Sequence, residues 1–244
     1  MMDFSPGPAP ESACVTLHIP HPAAERFAHV NTWVFDLDNT LYPFGCDLWP
    51  QIDARITAFL CHLFGIDGLS AKALQKHYYE RHGTSLRGLM LEDGLNPQDF
   101  LDFVHDIDRS GMMPDKALAT AIAALPGRKL ILTNGSHAHA LRTCERLGIA
   151  HLFEGIFDIV AADLVPKPEA ATYYRFFDAH AVDPARAAMF EDLDKNLVAP
   201  HASGMLTVLV REAGAAPLLL PHVDFCTSDL AVFLAGLMHR TDPG

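Results

Sequence analysis

A chain of 244 residues, half of them hydrophobic and a fifth charged, can bury a sizeable core and does not have the composition of a disordered protein. Thirty acidic against eighteen basic side chains give a formal charge of −12, which disfavours a nucleic-acid polymer as partner but leaves room for one small phosphorylated metabolite. No apolar run reaches the ~18 residues of a membrane span, no signal-peptide pattern opens the chain, and five cysteines without a C-x-x-C pair fit reduced thiols. The expectation is a cytoplasmic protein, monomer or homodimer, with no membrane partner.

Residues 1–30 carry Pro6, Pro8, Pro10, Pro20 and Pro22 and are expected to be a loosely ordered lead-in. Trp33, Val34 and Phe35 then form a short apolar run suited to a strand buried on both faces. The run breaks into two carboxylates, Asp36 and Asp38, followed at once by Asn39 and Thr40. Alone, such a D-x-D-x-T stretch is equally a turn whose side chains bond their own backbone. After Tyr42-Pro43 the period changes: Leu48, Ile52, Ile56, Phe59, Leu60 and Leu63 recur at helical spacing and stop before Gly65. Ser70 is placed to cap a second helix through Tyr79 or beyond, and Leu86 to Leu91 reads as a third. Asn96-Pro97 opens a fourth, with Phe100, Val104 and Ile107 as its stripe. Without a convincing strand between Cys46 and Gly111, residues 45–111 read as a helical insertion.

A helix from Pro114 to Leu125 leads to a second apolar strand, Leu130 to Leu132, which also breaks into small polar residues, Thr133, Asn134, Gly135 and Ser136. From there helices and strands alternate: helix His137–Leu147, strand Gly155–Ala161, helix Glu169–Ala181 and strand Ala187–Phe190. A helix ending at Ser203-Gly204 follows, then strand Thr207–Val210, a short strand Val223–Cys226 and a helix Asp229–His239. This order predicts an α/β fold: a doubly wound parallel sheet built from residues 31–44 and 112–244, with helices on both faces. Right-handed crossovers place the strand C-termini on a common rim.

Four rim segments make chemical sense together: Asp36-x-Asp38, Thr133-Asn134-Gly135, Lys167-Pro168 and Glu191-Asp192. They suit phosphoryl transfer through an aspartyl-phosphate. Asp36 is the candidate nucleophile, and Asp38 can protonate the leaving alkoxide and later deprotonate water. Asp36 and Asp192, with the backbone at Asp38, are candidate ligands for Mg²⁺, which offsets the repulsion between a carboxylate and a phosphate dianion. Thr133, Asn134 and Gly135 can hold phosphate oxygens where a helix begins. Lys167 supplies a fixed positive charge beside the nucleophile.

This ordered set resembles the four motifs of the haloacid dehalogenase superfamily of phosphatases, from about Asn31 to the C-terminus. The resemblance implies a Rossmann-like core and a C1-type helical cap closing over the rim; Asp38 favours a phosphatase over a dehalogenase. Phe35 to Pro43, F-D-L-D-N-T-L-Y-P, looks like the branch of pyrimidine 5′-nucleotidases. Tyr78-Tyr79-Glu80, Gly83 to Leu89 and Phe190 to Leu197 are similar to that branch as well. His82 stands where the branch has tyrosine, Leu193 where it usually has serine, and Glu191 where aspartate is frequent. The implied substrates are UMP and CMP; the alternatives are the same chemistry on a sugar phosphate, phosphoglycolate or pyridoxal phosphate, or a haloacid dehalogenase.

For substrate contacts the candidates are Arg87 and His82 in the insertion and Tyr42 past the first motif, where it could stack on a base. Arg87 could instead pair with Glu92 or Asp93, and Tyr42 could pack the hinge of the insertion. His137 and His139, two apart on a helix, lie on different faces and do not form a metal pair. Asn196, four residues after Asp192, can support the metal or Lys167, or simply serve the helix start.

Overall fold

The computed structural model describes residues 24–215 and 220–238. Most of the proline-rich lead-in, Cys14, the Leu218-Leu219 part of an apolar run, and His239 lie outside them.

The described residues contain a six-stranded sheet in the order β3-β2-β1-β4-β5-β6, every neighbouring pair parallel. The strands are β1 (Thr32–Phe35), β2 (Arg128–Leu132), β3 (Gly155–Phe157), β4 (Ala187–Glu191), β5 (Leu206–Val210) and β6 (Phe225–Thr227). Strand β1 sits at the centre and is buried on both faces, which is why its sequence shows no polar alternation. Trp33 and Phe35 point into one apolar layer, where they meet helices α5 (Lys116–Ala124), α6 (His137–Leu147) and α9 (Leu230–Met238). Val34 points to the other layer, against Tyr173, Phe176 and Phe177 of α7 (Ala170–His180) and Leu197, which precedes the short helix α8 (Val198–Ala202). Phe35 stacks on Phe190 of β4 with ring centroids 4.8 Å apart, and the Trp33 indole donates to the Pro126 carbonyl at 2.7 Å. A buried indole N–H without an acceptor would cost ~1–3 kcal/mol, so this bond lets the largest side chain of β1 lie in the core.

Between β1 and β2 run α1 (Leu48–Phe64), α2 (Gly68–His82), α3 (Ser85–Asp93) and α4 (Pro97–Val104). They bury their own apolar cluster, including Leu60, Tyr78, Leu89 and Phe100, which Ile159 and Leu164 join from the loop after β3. Asp67, not Ser70, caps α2: its carboxylate accepts from the backbone N–H groups of Leu69 and Ser70, so the helix begins earlier than the serine suggested. Ile107 lies beyond the end of α4 and packs against the β1 layer instead. Strand β3 stops at Phe157 rather than Ala161, because the Asp158 carboxylate accepts from the His137 and Ala161 N–H groups and turns the chain. The last strand is displaced to Phe225–Thr227.

Helices α2 and α3 approach closely at Gly88, where an added Cβ would fall 2.7 Å from the Tyr78 Cβ. That atom is fixed to the α2 backbone and cannot swing away. Gly88→Ala is therefore expected to lower stability by about 1–3 kcal/mol, read from the urea midpoint; an unchanged midpoint would contradict this packing.

Candidate active site

The strand C-termini bring the four sequence segments together on one rim, facing the helical segment across a cavity of about 750 Å³. Asp36 continues β1 by one residue, its N–H donating to the Phe190 carbonyl at 2.9 Å, so the central strand itself aims this carboxylate into the cavity. Lys167 comes up beneath it, almost fully buried. Its ammonium donates to Asp36 Oδ1 at 2.6 Å, Glu191 Oε1 at 2.7 Å and the Leu132 carbonyl at 2.8 Å, using all three hydrogens. Burial opposes the charge on Lys167, but Asp36 and Glu191 more than offset it, so its pKa stands above the ordinary value.

Glu191 is the residue that sequence reasoning undervalued. It has no exposed surface, and its carboxylate accepts from Lys167, from Asn196 Nδ2 at 2.6 Å and from the Leu193 N–H at 2.8 Å. These bonds make it the fixed counter-charge that holds Lys167 against Asp36. The one available signal was its position, directly before Asp192 at the end of an apolar strand.

Asp36, Glu191 and Asp192 present carboxylate oxygens all within 4.8 Å of one another. Asp36 and Asp192 are both held above the ordinary carboxylate range, by burial first and then by the charges of the other acids around them. One lysine against three carboxylates leaves the group short of positive charge. Beside it the buried Asn196 Oδ1 has no hydrogen-bond partner. An all-oxygen donor set with a spare acceptor fits a hard divalent cation with its waters. Since the Glu191 oxygens are already engaged, Asp36 and Asp192 are the carboxylates left to ligate it. The Asp38 carboxylate is not part of this group.

Asp38 faces the cavity beside Asp36, but its Oδ1 accepts from the Tyr42 hydroxyl at 2.6 Å and from His139 Nε2 at 2.9 Å. Burial would raise its pKa; His139 and Tyr42 overcome that and pull it down to about 2, so the free carboxyl is ionised. Asn134 and Gly135 line the cavity, and Asn134 is fixed by exchanging hydrogen bonds with the Lys167 backbone. Thr133 lies beneath them, its Oγ1 accepting from the Gly135 N–H at 2.9 Å.

The three candidate substrate contacts fare differently. Tyr42 is buried and bonded to Asp38, so it supports that carboxylate and has no face for stacking on a ligand. Arg87 does not line the cavity; it pairs with Glu169, just before α7, at 3.2 Å, not with Glu92 or Asp93. His82 also turns aside, bonding Glu92 at 2.7 Å. The walls opposite the carboxylates are formed instead by Trp49, Lys72, Lys76, Tyr79, Thr84 and Phe100. Lys195 reaches across from the rim, donating to the Tyr79 hydroxyl at 2.8 Å.

Comparison with known proteins follows the same lines. The chain is 27% identical over 207 residues to phosphate metabolism protein 8 of Saccharomyces cerevisiae, a match covering 76% of this chain and 61% of that one. It thus spans less than two thirds of that relative's length. Among solved structures it resembles CbbY from Rhodobacter sphaeroides in complex with phosphate, with a TM-score of 0.61, 18% identity and coverage of 85% of this chain and 99% of that one. A 2-haloacid dehalogenase from Pseudomonas syringae gives a TM-score of 0.56 at 18% identity, covering 85% and 98%. The haloacid dehalogenase-like hydrolase family matches residues 30–204, well over half of the sequence, and the chain belongs to that family of hydrolases.

Proposed function

We propose that the chain is a Mg²⁺-dependent phosphomonoester hydrolase that works through an aspartyl-phosphate on Asp36. The observation that carries this reading is the single constellation at the rim: Asp36 held by Lys167 at 2.6 Å, with Asp192 near it and Asp38 facing the same cavity. Asp36 and Asp192 would hold the ion, which when bound offsets the charge between carboxylate and phosphate. A carboxylate oxygen of Asp36 forms a bond to phosphorus as the bond from phosphorus to the ester oxygen breaks, and Asp38 gives its proton to the departing alkoxide. Asp38 then takes a proton from water, the water oxygen attacks phosphorus, and inorganic phosphate leaves with the Asp36 carboxylate restored. Since resting Asp38 is ionised, it takes up one proton from solvent as the substrate binds, because the phosphate dianion placed beside it favours the neutral carboxyl. Lys167 keeps Asp36 oriented, and Asn134 and Gly135 offer the phosphate a polar floor.

The substrate class is proposed as pyrimidine 5′-mononucleotides. The likeness of Phe35 to Pro43 and of the Tyr78–Leu89 segment to that branch supports it, as does a cavity large enough for a nucleotide-sized ester. Helices α1–α4 serve as the cap over the site, and Tyr79, Lys72 and Lys76 take the place of Arg87 and His82 as the side chains that meet base and sugar. A panel of esters tests this: UMP and CMP are expected to exceed sugar phosphates, phosphoglycolate and pyridoxal phosphate in kcat/KM by about tenfold or more, and a flat profile would overturn the substrate. Asp36→Asn is expected to cut turnover by about a thousandfold or more while the thermal transition persists; a fully active variant would remove Asp36 as nucleophile.

The metal site has a test independent of turnover. The raised Asp36 and Asp192 carboxyls make the folded, metal-free protein bind more protons than the unfolded chain, so its stability falls as pH rises. Buried His105, whose pKa is lowered to about 3, gives the opposite slope only up to its ordinary value of 6.5. In EDTA the Tm is therefore expected to drop between pH 6.5 and 8.5, and millimolar Mg²⁺ is expected to restore it, more at the higher pH. No thermal shift with Mg²⁺ at either pH would contradict the site.

A further inference from the structure

We infer that His139, fixed by Arg109, is a positioning residue for Asp38, engaging Oδ1 together with Tyr42 so that Oδ2 is the oxygen that carries the proton. The inference rests on the reading of Asp38 as general acid and base, and adds residues that no motif of that reading contains.

The donors fix the direction of this network. An arginine guanidinium can only donate hydrogen bonds. Arg109 Nη2 lies 2.7 Å from His139 Nδ1, so that nitrogen must offer its lone pair. The ring proton then sits on Nε2, which is 2.9 Å from Asp38 Oδ1 and donates to it. Two partners thus assign the tautomer, and the direction of the chain is Arg109 to His139 to Asp38. The Tyr42 hydroxyl donates to the same Oδ1 at 2.6 Å. Both donors of this network converge on one oxygen, leaving Oδ2 outside it.

The His139 ring has little freedom to depart from this pose. It has no exposed surface, and His105 stacks on it with centroids 4.4 Å apart and planes 14° from parallel. His105 is tied through its Nδ1 to Ser136 Oγ at 3.0 Å, and Ser136 is the residue that caps α6 by accepting from the His139 N–H. Arg109 is braced in turn by the carbonyls of Ile107 and His105 and by Thr143 Oγ1. A histidine so surrounded by donors and acceptors of fixed direction acts as a rigid bracket. Asp38 stands on the turn after β1, where an unbraced carboxylate would rotate about its χ angles. Misplacement of a proton donor slows the step it serves without touching substrate affinity.

The test compares leaving groups. His139→Gln retains an N–H where Nε2 stood and an acceptor for Arg109, whereas His139→Leu retains neither. Leaving groups of low pKa, as in p-nitrophenyl phosphate, need little protonation, whereas an alkyl ester such as a nucleoside monophosphate does need it. For His139→Leu, kcat/KM for the alkyl ester is expected to fall by about ten- to a hundredfold, kcat/KM for p-nitrophenyl phosphate by about twofold or less, and His139→Gln is expected to recover most of the loss. Circular dichroism and thermal melting confirm that each variant is folded; if His139→Leu does not fold, the same comparison between Arg109→Met and wild type decides. An equal loss on both esters would mean that His139 is only structural and would overturn the inference. Asp38→Asn is measured alongside. If it too shows no dependence on leaving group, the reading of Asp38 as general acid is what fails; if it shows the dependence and the His139 and Arg109 variants do not, only the inference fails.

Discussion

Everything at this rim depends on one electrostatic constraint: three carboxylates buried around a single ammonium group. Lys167 has spent its three hydrogens on Asp36, Glu191 and the Leu132 carbonyl, so it cannot balance Asp192 as well. A buried cluster with that deficit is costly unless a cation arrives or the acids take up protons. The cost is tolerated because the sheet leaves little alternative. Asp36 and Glu191 extend two adjacent central strands whose registers are fixed by buried pairs such as Phe35 beside Phe190. Shifting either strand by one residue would turn Trp33 or Phe190 to the wrong layer. The apolar core therefore supplies the force that holds like charges together.

The two aspartates of the first motif are driven in opposite directions by their surroundings. Asp36 sits among other acids and is held above the ordinary carboxylate range, while Asp38, braced by His139 and Tyr42, is pulled down to about 2. A single residue, Leu37, separates them, yet one faces the acid cluster and the other faces a bracket of donors. These directions belong to the free site: a cation beside Asp36 would favour its ionised form, and a phosphate dianion beside Asp38 would favour its neutral form, as the proposed roles of nucleophile and acid require. The bracket also shows why Tyr42 is buried where it is: the hydroxyl spends its one hydrogen on Asp38.

Much of the fold was legible in the sequence because its signals are local. The apolar run Trp33–Phe35 and the span His137–Leu147, set between Ser136 and Gly148, give their elements almost to the residue. Errors arose where two local signals compete. Asp67 and Ser70 are both good caps, and only the geometry shows that the carboxylate reaches two backbone N–H groups while the Ser70 hydroxyl bonds Asp67 itself. The four rim segments were legible as a set because each follows a buried strand. Side-chain aim was not. Arg87 and His82 are polar residues on the right helices, but helical phase relative to a distant wall depends on how α2 and α3 pack, and both side chains bond to Glu169 and Glu92 instead. His139 was harder still, since its partners Arg109 and His105 come from another part of the chain and no spacing records them.

The proposed reaction turns on a covalent bond between Asp36 and phosphorus. The most direct measurement is a rapid acid quench of enzyme mixed with radiolabelled phosphomonoester, followed by proteolysis and identification of the labelled peptide. The expected result is an acid-stable, hydroxylamine-sensitive acyl phosphate on the peptide containing Asp36, absent from Asp36→Asn. Turnover without any labelled protein, or label that maps to another side chain, would rule out Asp36 as the nucleophile.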